Sequence, residues 1–234
     1  KVRLKVISLF SIWKQMLILI VFATLHKLSG FLPLTQYTVV FFNQLNTPVD
    51  GNHASLIHSF VCFVTTFAVP YFVHFYNRRS LLCLTSLLGG CGMMLTWLYE
   101  LGMYHYPDQT KAYFWIALLG VYTYDVATTI GITSILVMLP AELLPTEISG
   151  SATTSYSIIA SLITTVISKT YFKVLGYIGL LWLLFTFIAS SFLLALLSVV
   201  LLPETRGKTL RKIQQAYFKN DSKEDASANE MNAV

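Results

Sequence analysis

The sequence predicts an all-α membrane protein built from six transmembrane helices. Composition is the first reason. Of 234 residues, 55% are hydrophobic and only 12% charged, with a mean hydropathy of +0.64, whereas a soluble domain carries roughly 25% charged residues. Distribution is the second, because the charges fall between long apolar runs. Six runs, Gln15–Phe42, Ser55–Tyr76, Leu81–Met103, Ala112–Leu139, Thr153–Phe172 and Ile178–Leu202, are each long enough to cross about 30 Å of hydrocarbon. No water is available there, so backbone polar groups pair within their own segment and the runs are expected to be helices. The period-2 alternation of a membrane barrel is absent.

This divides the chain into an amphipathic cytosolic segment (1–14), a six-helix membrane bundle (15–202), a basic motif segment (203–219) and a polar, disordered tail (220–234). Position 1 is Lys, which points to a fragment or to numbering from an internal residue. Six spans put both ends of the chain on one face. Of 16 Lys and Arg, 12 fall on that face, three on the other, and Lys27 inside a span. Excess Lys and Arg marks the cytosol, so both termini are expected there. The net charge of +5 then serves contact with lipid rather than with nucleic acid. Cys62, Cys83 and Cys91 lie within spans without CxxC spacing, which indicates buried thiols and neither a metal site nor a disulfide framework. No cofactor is indicated, and no nucleophile–base pair supports an enzyme.

In chain order, residues 1–14 alternate basic and apolar side chains, which suits either a helix on the membrane surface or an extension of the first span. The first span is interrupted by His26-Lys27-Leu28-Ser29-Gly30-Phe31-Leu32-Pro33, and Pro33 removes a backbone hydrogen bond. Broken helices are where transporters build substrate sites, though a kink can also serve packing alone. A polar loop from Asn43 to Ala54 follows, without Lys or Arg. The second span ends at Asn77-Arg78-Arg79, a tight basic turn. Gly89-Gly90-Cys91-Gly92 in the third span allows close helix approach. The fourth contains Asp125, whose depth matches that of Lys27. A lone charge there costs at least about 2.5–3.5 kcal/mol, so the two are expected either to pair or to reach separate water-filled regions. The fifth span is dense in Ser and Thr, which either line a cavity or bond back to their own helix. The sixth is Leu-, Phe- and Ala-rich.

Between the fourth and fifth spans, Pro140-Ala141-Glu142-Leu143-Leu144-Pro145-Thr146-Glu147-Ile148-Ser149-Gly150 is by itself an ordinary turn sequence. It resembles the cytosolic motif between the tenth and eleventh helices of sugar porters of the major facilitator superfamily. Pro203-Glu204-Thr205-Arg206-Gly207-Lys208-Thr209-Leu210 is similar to the motif closing their twelfth helix. Asn77-Arg78-Arg79 is similar to the basic loop after the eighth, and His26-Lys27-Leu28-Ser29-Gly30, with Tyr37 beyond, to the Gln-Gln-Leu-Ser-Gly stretch of the seventh. The order covers nearly the whole chain, which resembles the carboxy-terminal six-helix half of a sugar- or trehalose-transporter-like protein.

The resemblance implies transport of a small polar solute, a sugar by family, through alternating access, in partnership with an amino-terminal half and the lipid bilayer, at the plasma membrane. It implies substrate contacts at His26, Lys27 and Tyr37, to which Asp125, as an intramembrane charge, adds a fourth candidate. It also implies an inner gate of Arg78, Arg79, Glu142, Glu147, Glu204 and Arg206, in which Glu142 pairs near Arg78 or Arg79. The chain departs from the family at several points. His26 and Lys27 replace paired glutamines, and Leu32 an asparagine. Thr133–Val137 lacks the expected prolines and tryptophan, and Ala160-Ser161 stands where an Asn-Trp pair is usual. Ser149 replaces an arginine and His74 an aspartate. These losses weaken hydroxyl recognition. They admit as alternatives an anionic or amino-acid-like solute, proton coupling at an ionisable site, or a divergent half that moves no sugar and acts as a binding module.

Overall fold

The computed structural model describes residues 2–143 and 149–201. In chain order it comprises α1 (Val2–His26), a π-helical turn (Lys27–Phe31), α2 (Leu32–Gln36), α3 (Thr38–Gln44), α4 (Gly51–Phe75) and α5 (Arg78–His105). There follow α6 (Pro107–Thr110), a 3-10 turn (Lys111–Tyr113), α7 (Phe114–Ala127), a second π turn (Thr128–Thr133), α8 (Ser134–Leu143) and α9 (Ser149–Leu201). The described residues contain no strand. The helix of α1 runs unbroken from Val2 into the first span, so the backbone of the amino-terminal segment is continuous with it.

Five stretches are long and apolar enough to cross a membrane: Gln15–Gln36, Gly51–Phe75, Arg78–His105, Pro107–Pro140 and Ala152–Leu201. The last has 50 residues; straight, it would reach about 75 Å, more than twice the hydrocarbon thickness. Gly179 breaks it, with φ 78° and ψ 168°, a conformation that only glycine adopts without strain. Val166, Tyr171, Leu183 and Ser190 all line one cavity against Leu28 and Leu32, although a straight helix would hold residues 166 and 190 about 36 Å apart. The chain therefore folds back at Gly179. The two arms of α9 are the fifth and sixth expected spans, joined without an intervening loop.

Two clusters of buried side chains stabilise the bundle along its length. One gathers Leu34, Phe41, Phe42, Met93, Tyr124 and Leu184. The other gathers Leu19, Phe22, Leu82, Ile132, Leu139 and Leu194. Between them, α5 and α7 touch backbone to backbone: a Cβ on Gly92 would lie 2.6 Å from the Gly120 carbonyl oxygen. Thr96 Oγ1 donates to the Ala117 carbonyl at 3.1 Å across the same contact. The small residues of the third span thus serve close approach.

The loop before α4 is tied to the end of α5. Glu100, 5% exposed, accepts from the Asn46 backbone N–H at 3.0 Å and from its Nδ2 at 2.8 Å. Tyr99 Oη donates to the Asn46 carbonyl at 2.7 Å. Glu100 is thus a second carboxylate within the expected spans, beside Asp125. One asparagine supplies its partners, so the charge is buried with compensation.

Candidate functional site

The candidate site forms where both irregular segments of the bundle meet. α1 ends at His26, and the next turn widens to a π turn because Gly30 adopts φ 102°. Opposite it, α7 gives way to the second π turn, Thr128–Thr133. Such single-turn π segments redirect side chains and free carbonyls, and they recur at functional sites. The two turns are linked by polar contacts. Ser29 Oγ and Tyr124 Oη lie 2.9 Å apart, and His26 Nε2 lies 3.4 Å from Thr133 Oγ1. Ser29 Oγ also donates to the His26 carbonyl at 2.8 Å. A hydroxyl has one proton, so the Tyr124 phenol is the donor in its bond to Ser29.

A cavity of about 350 Å³ opens beside this junction, lined by His26, Lys27, Thr133, Tyr156, Ser157 and Ser161 among others. That volume lies within the range of small-ligand pockets. His26 is buried. The Lys27 ammonium stands 4.3 Å from the centroid of the Phe31 ring, a cation–π contact that offsets part of its desolvation. Of the hydroxyls on the first arm of α9, Ser157 and Thr164 donate to the carbonyls of Thr153 and Ala160 at 2.9 and 2.8 Å. Both also line the cavity. They satisfy their own helix as donors and present acceptor lone pairs to the opening, so the two expectations for this span are compatible.

Three of the departures from the sugar-porter pattern converge here. His26 and Lys27, Thr133 through Val137, and Ala160-Ser161 come from three different spans, and residues of all three line this one cavity. Two of the expected substrate residues do not. Tyr37 sits at the break between α2 and α3, where its phenol lies 2.8 Å from Ser168 Oγ. Its ring stacks on Tyr171 at 5.9 Å and meets Phe172 edge-on at 4.7 Å.

Asp125 faces α4 instead. Its Oδ2 accepts from Cys62 Sγ at 2.8 Å, and its Oδ1 lies 3.2 Å from His58 Nε2. Of the two alternatives for Lys27 and Asp125, pairing is therefore ruled out: the carboxylate faces α4, while Lys27 lies over Phe31. Cys62 is therefore more than an isolated thiol, and His58 joins it at the carboxylate. The sequence signal for both is their four-residue spacing, which puts them on one face of a helix.

At the opposite end of α4, the Arg78 guanidinium donates to the Val73 carbonyl at 3.0 Å, satisfying one of the acceptors that the helix end leaves open. Arg79 follows in the first turn of α5, and Glu142 lies in the last turn of α8. Glu147, Glu204 and Arg206, with segments 203–219 and 220–234, lie outside the described residues.

Residues 3–217 match the family model described as Sugar (and other) transporter. The chain is 29% identical over 198 residues to the facilitated trehalose transporter Tret1 of Apis mellifera ligustica, across 82% of this chain and 38% of that protein. It is 31% identical over 196 residues to the protein of the same name from Bombyx mori, across 81% and 37%. Among solved structures it is similar to the proton:xylose symporter XylE bound to 6-bromo-6-deoxy-D-glucose. The TM-score is 0.72 at 19% identity, over 86% of this chain and 42% of that one. A D-xylose–proton symporter gives 0.70 at 20% identity, over 83% and 44%. The likeness shows the fold, and the chain spans about two-fifths of the length of the curated relatives it matches.

Proposed function

The chain belongs to the Sugar (and other) transporter family, and on that premise we propose that it supplies the carboxy-terminal six helices of an alternating-access carrier for a sugar. The observation carrying this reading is the cavity of about 350 Å³ at the junction of the two π turns. It is bordered by broken helices, the element from which transporters make substrate sites. His26, Lys27 and the hydroxyls of Ser157, Ser161 and Thr164 bind the solute there. Tyr37 and Asp125 act on the same region from outside it, through Ser168 and through α4. An amino-terminal half closes the remaining side. The carrier sits in the plasma membrane with both termini in the cytosol.

The inner gate is formed by Arg78, Arg79, Glu142, Glu147, Glu204 and Arg206. Exposed ion pairs stabilise by only about 0.2–1 kcal/mol each, yet a few kcal/mol suffices to bias two conformations. Ser149, in place of an arginine, loosens this lock.

Reconstituting the full-length protein in proteoliposomes and measuring radiolabelled trehalose and glucose uptake tests the proposal. Saturable uptake supports it, and the absence of both uptake and counterflow for a sugar panel overturns it. Lys27 favours a second reading, because a cation on the cavity wall suits an anionic or amino-acid-like solute better than a neutral sugar. Competition of the measured flux by a sugar phosphate, a hexuronate or an amino acid, but not by neutral sugars, would select that reading.

A further inference from the structure

We propose that His58, Cys62 and Asp125 form a binding site for a borderline divalent cation of the zinc class, joining α4 to α7. Their ligand atoms all lie within 4.8 Å of one another, the one grouping of its kind among the described residues. His58 and Cys62 are one turn apart on α4, so both project from the same face. Asp125 reaches them from α7 with both oxygens, Oδ2 at 2.8 Å from Sγ and Oδ1 at 3.2 Å from Nε2.

A second observation points to a ligand. His58 is 4% exposed, yet its Nε2 makes no hydrogen bond, although Asp125 Oδ1 lies 3.2 Å away. A buried ring nitrogen within 4.8 Å of a thiol and a carboxylate, hydrogen-bonded to neither, is costly unless something else engages it. Metal–ligand bonds of about 2.0–2.3 Å in tetrahedral geometry separate neighbouring donors by about 3.5 Å. The two separations from Asp125, 2.8 and 3.2 Å, are shorter than that, and all the ligand atoms lie within 4.8 Å, so small side-chain shifts would complete the coordination.

Donor chemistry and charge select the ion. Imidazole, thiolate and carboxylate together suit zinc rather than magnesium or calcium, which take oxygen donors. On binding, the proton now between Sγ and Oδ2 leaves to solvent. A divalent cation with one thiolate, one carboxylate and a neutral imidazole then sums to zero charge, which the bilayer tolerates far better than an unpaired carboxylate. Three protein ligands leave a fourth position open for water. His58 lies two turns from Gly51, about 10 Å along the helix from the loop before α4, and this sets the route of entry.

The test uses the full-length protein in detergent, stripped with EDTA and titrated with Co²⁺. The expected result is one equivalent bound with thiolate-to-cobalt charge-transfer absorption, abolished by Zn²⁺. The absorption is lost in Cys62→Ala and His58→Ala and reduced in Asp125→Asn, with unchanged gel-filtration elution. In case a variant fails to fold, the unmutated protein supplies an independent reading. Zn²⁺ should protect Cys62 from N-ethylmaleimide, scored at that peptide by mass spectrometry. The proposal is overturned by no charge-transfer band at saturating Co²⁺, by a band that persists in Cys62→Ala, or by alkylation of Cys62 that Zn²⁺ leaves unchanged.

Discussion

The Tyr124 phenol donates to Ser29 Oγ across 2.9 Å, joining residues 95 positions apart at the centre of the bundle. Tyr124 is 1% exposed, and the Ser29 hydroxyl in turn donates a hydrogen bond to the His26 carbonyl. This short chain holds the end of α1 at His26 and the π turn that carries Lys27 against the helix that carries Asp125. Tyr124→Phe keeps the ring and deletes the donor. The expected loss is about 0.6–1.5 kcal/mol, read as a lowered Tm of the detergent-solubilised protein. An unchanged Tm would show that the contact holds nothing.

The approach of Gly92 to Gly120 leaves no room for a side chain, since an added Cβ meets a carbonyl oxygen at 2.6 Å. Gly92→Val forces two helices apart, a strain beyond the usual cost of overpacking, about 1–3 kcal/mol. Expression as a monodisperse species should be lost. Gly176→Ala, where nothing lies within 4 Å of the added carbon, should elute as the parent does. Fluorescence-detected size exclusion reads both.

Glu100 is held by Asn46 through two donors, at 3.0 and 2.8 Å. Asn46→Ala deletes the side-chain donor and leaves a buried carboxylate half-satisfied. A loss of about 1.5–3 kcal/mol is expected, as for hydrogen bonds to a charge. Glu100→Gln removes the charge and should cost less. In a double-mutant cycle the coupling should approach the cost of Asn46→Ala; a cycle that sums additively would refute the link.

Ser161 is exposed on the cavity wall, so a large side chain there occupies solute space without disturbing the core. Ser161→Trp should abolish uptake while the stability to unfolding stays within about 0.5 kcal/mol of the parent, as for an ordinary surface change. Retained uptake would place the transport path elsewhere.

Glu142→Gln should shift the full-length carrier toward its inward-open state by removing one charge from the proposed gate. Cysteine accessibility from each side of the membrane measures it. Equal labelling from each side before and after the change would count against the gate.

Hydropathy alone located the spans, because exclusion of water from hydrocarbon acts on each segment independently. Local order also marked the broken first span, through Gly30 and Pro33, and the points where the chain departs from the sugar-porter pattern. Which side chains meet was decided only by tertiary packing. Each residue turns about 100° around its helix, so depth in the membrane leaves open which neighbour a side chain faces. Lys27 and Asp125 illustrate this: expected at matched depth, they point to Phe31 and to His58 with Cys62. Packing also brought His26, Thr133 and Ser161 to one cavity, gave Glu100 its partner in Asn46, and folded α9 back at Gly179. The sequence carried the family and the membrane layout; rotation and contact between helices decided the site.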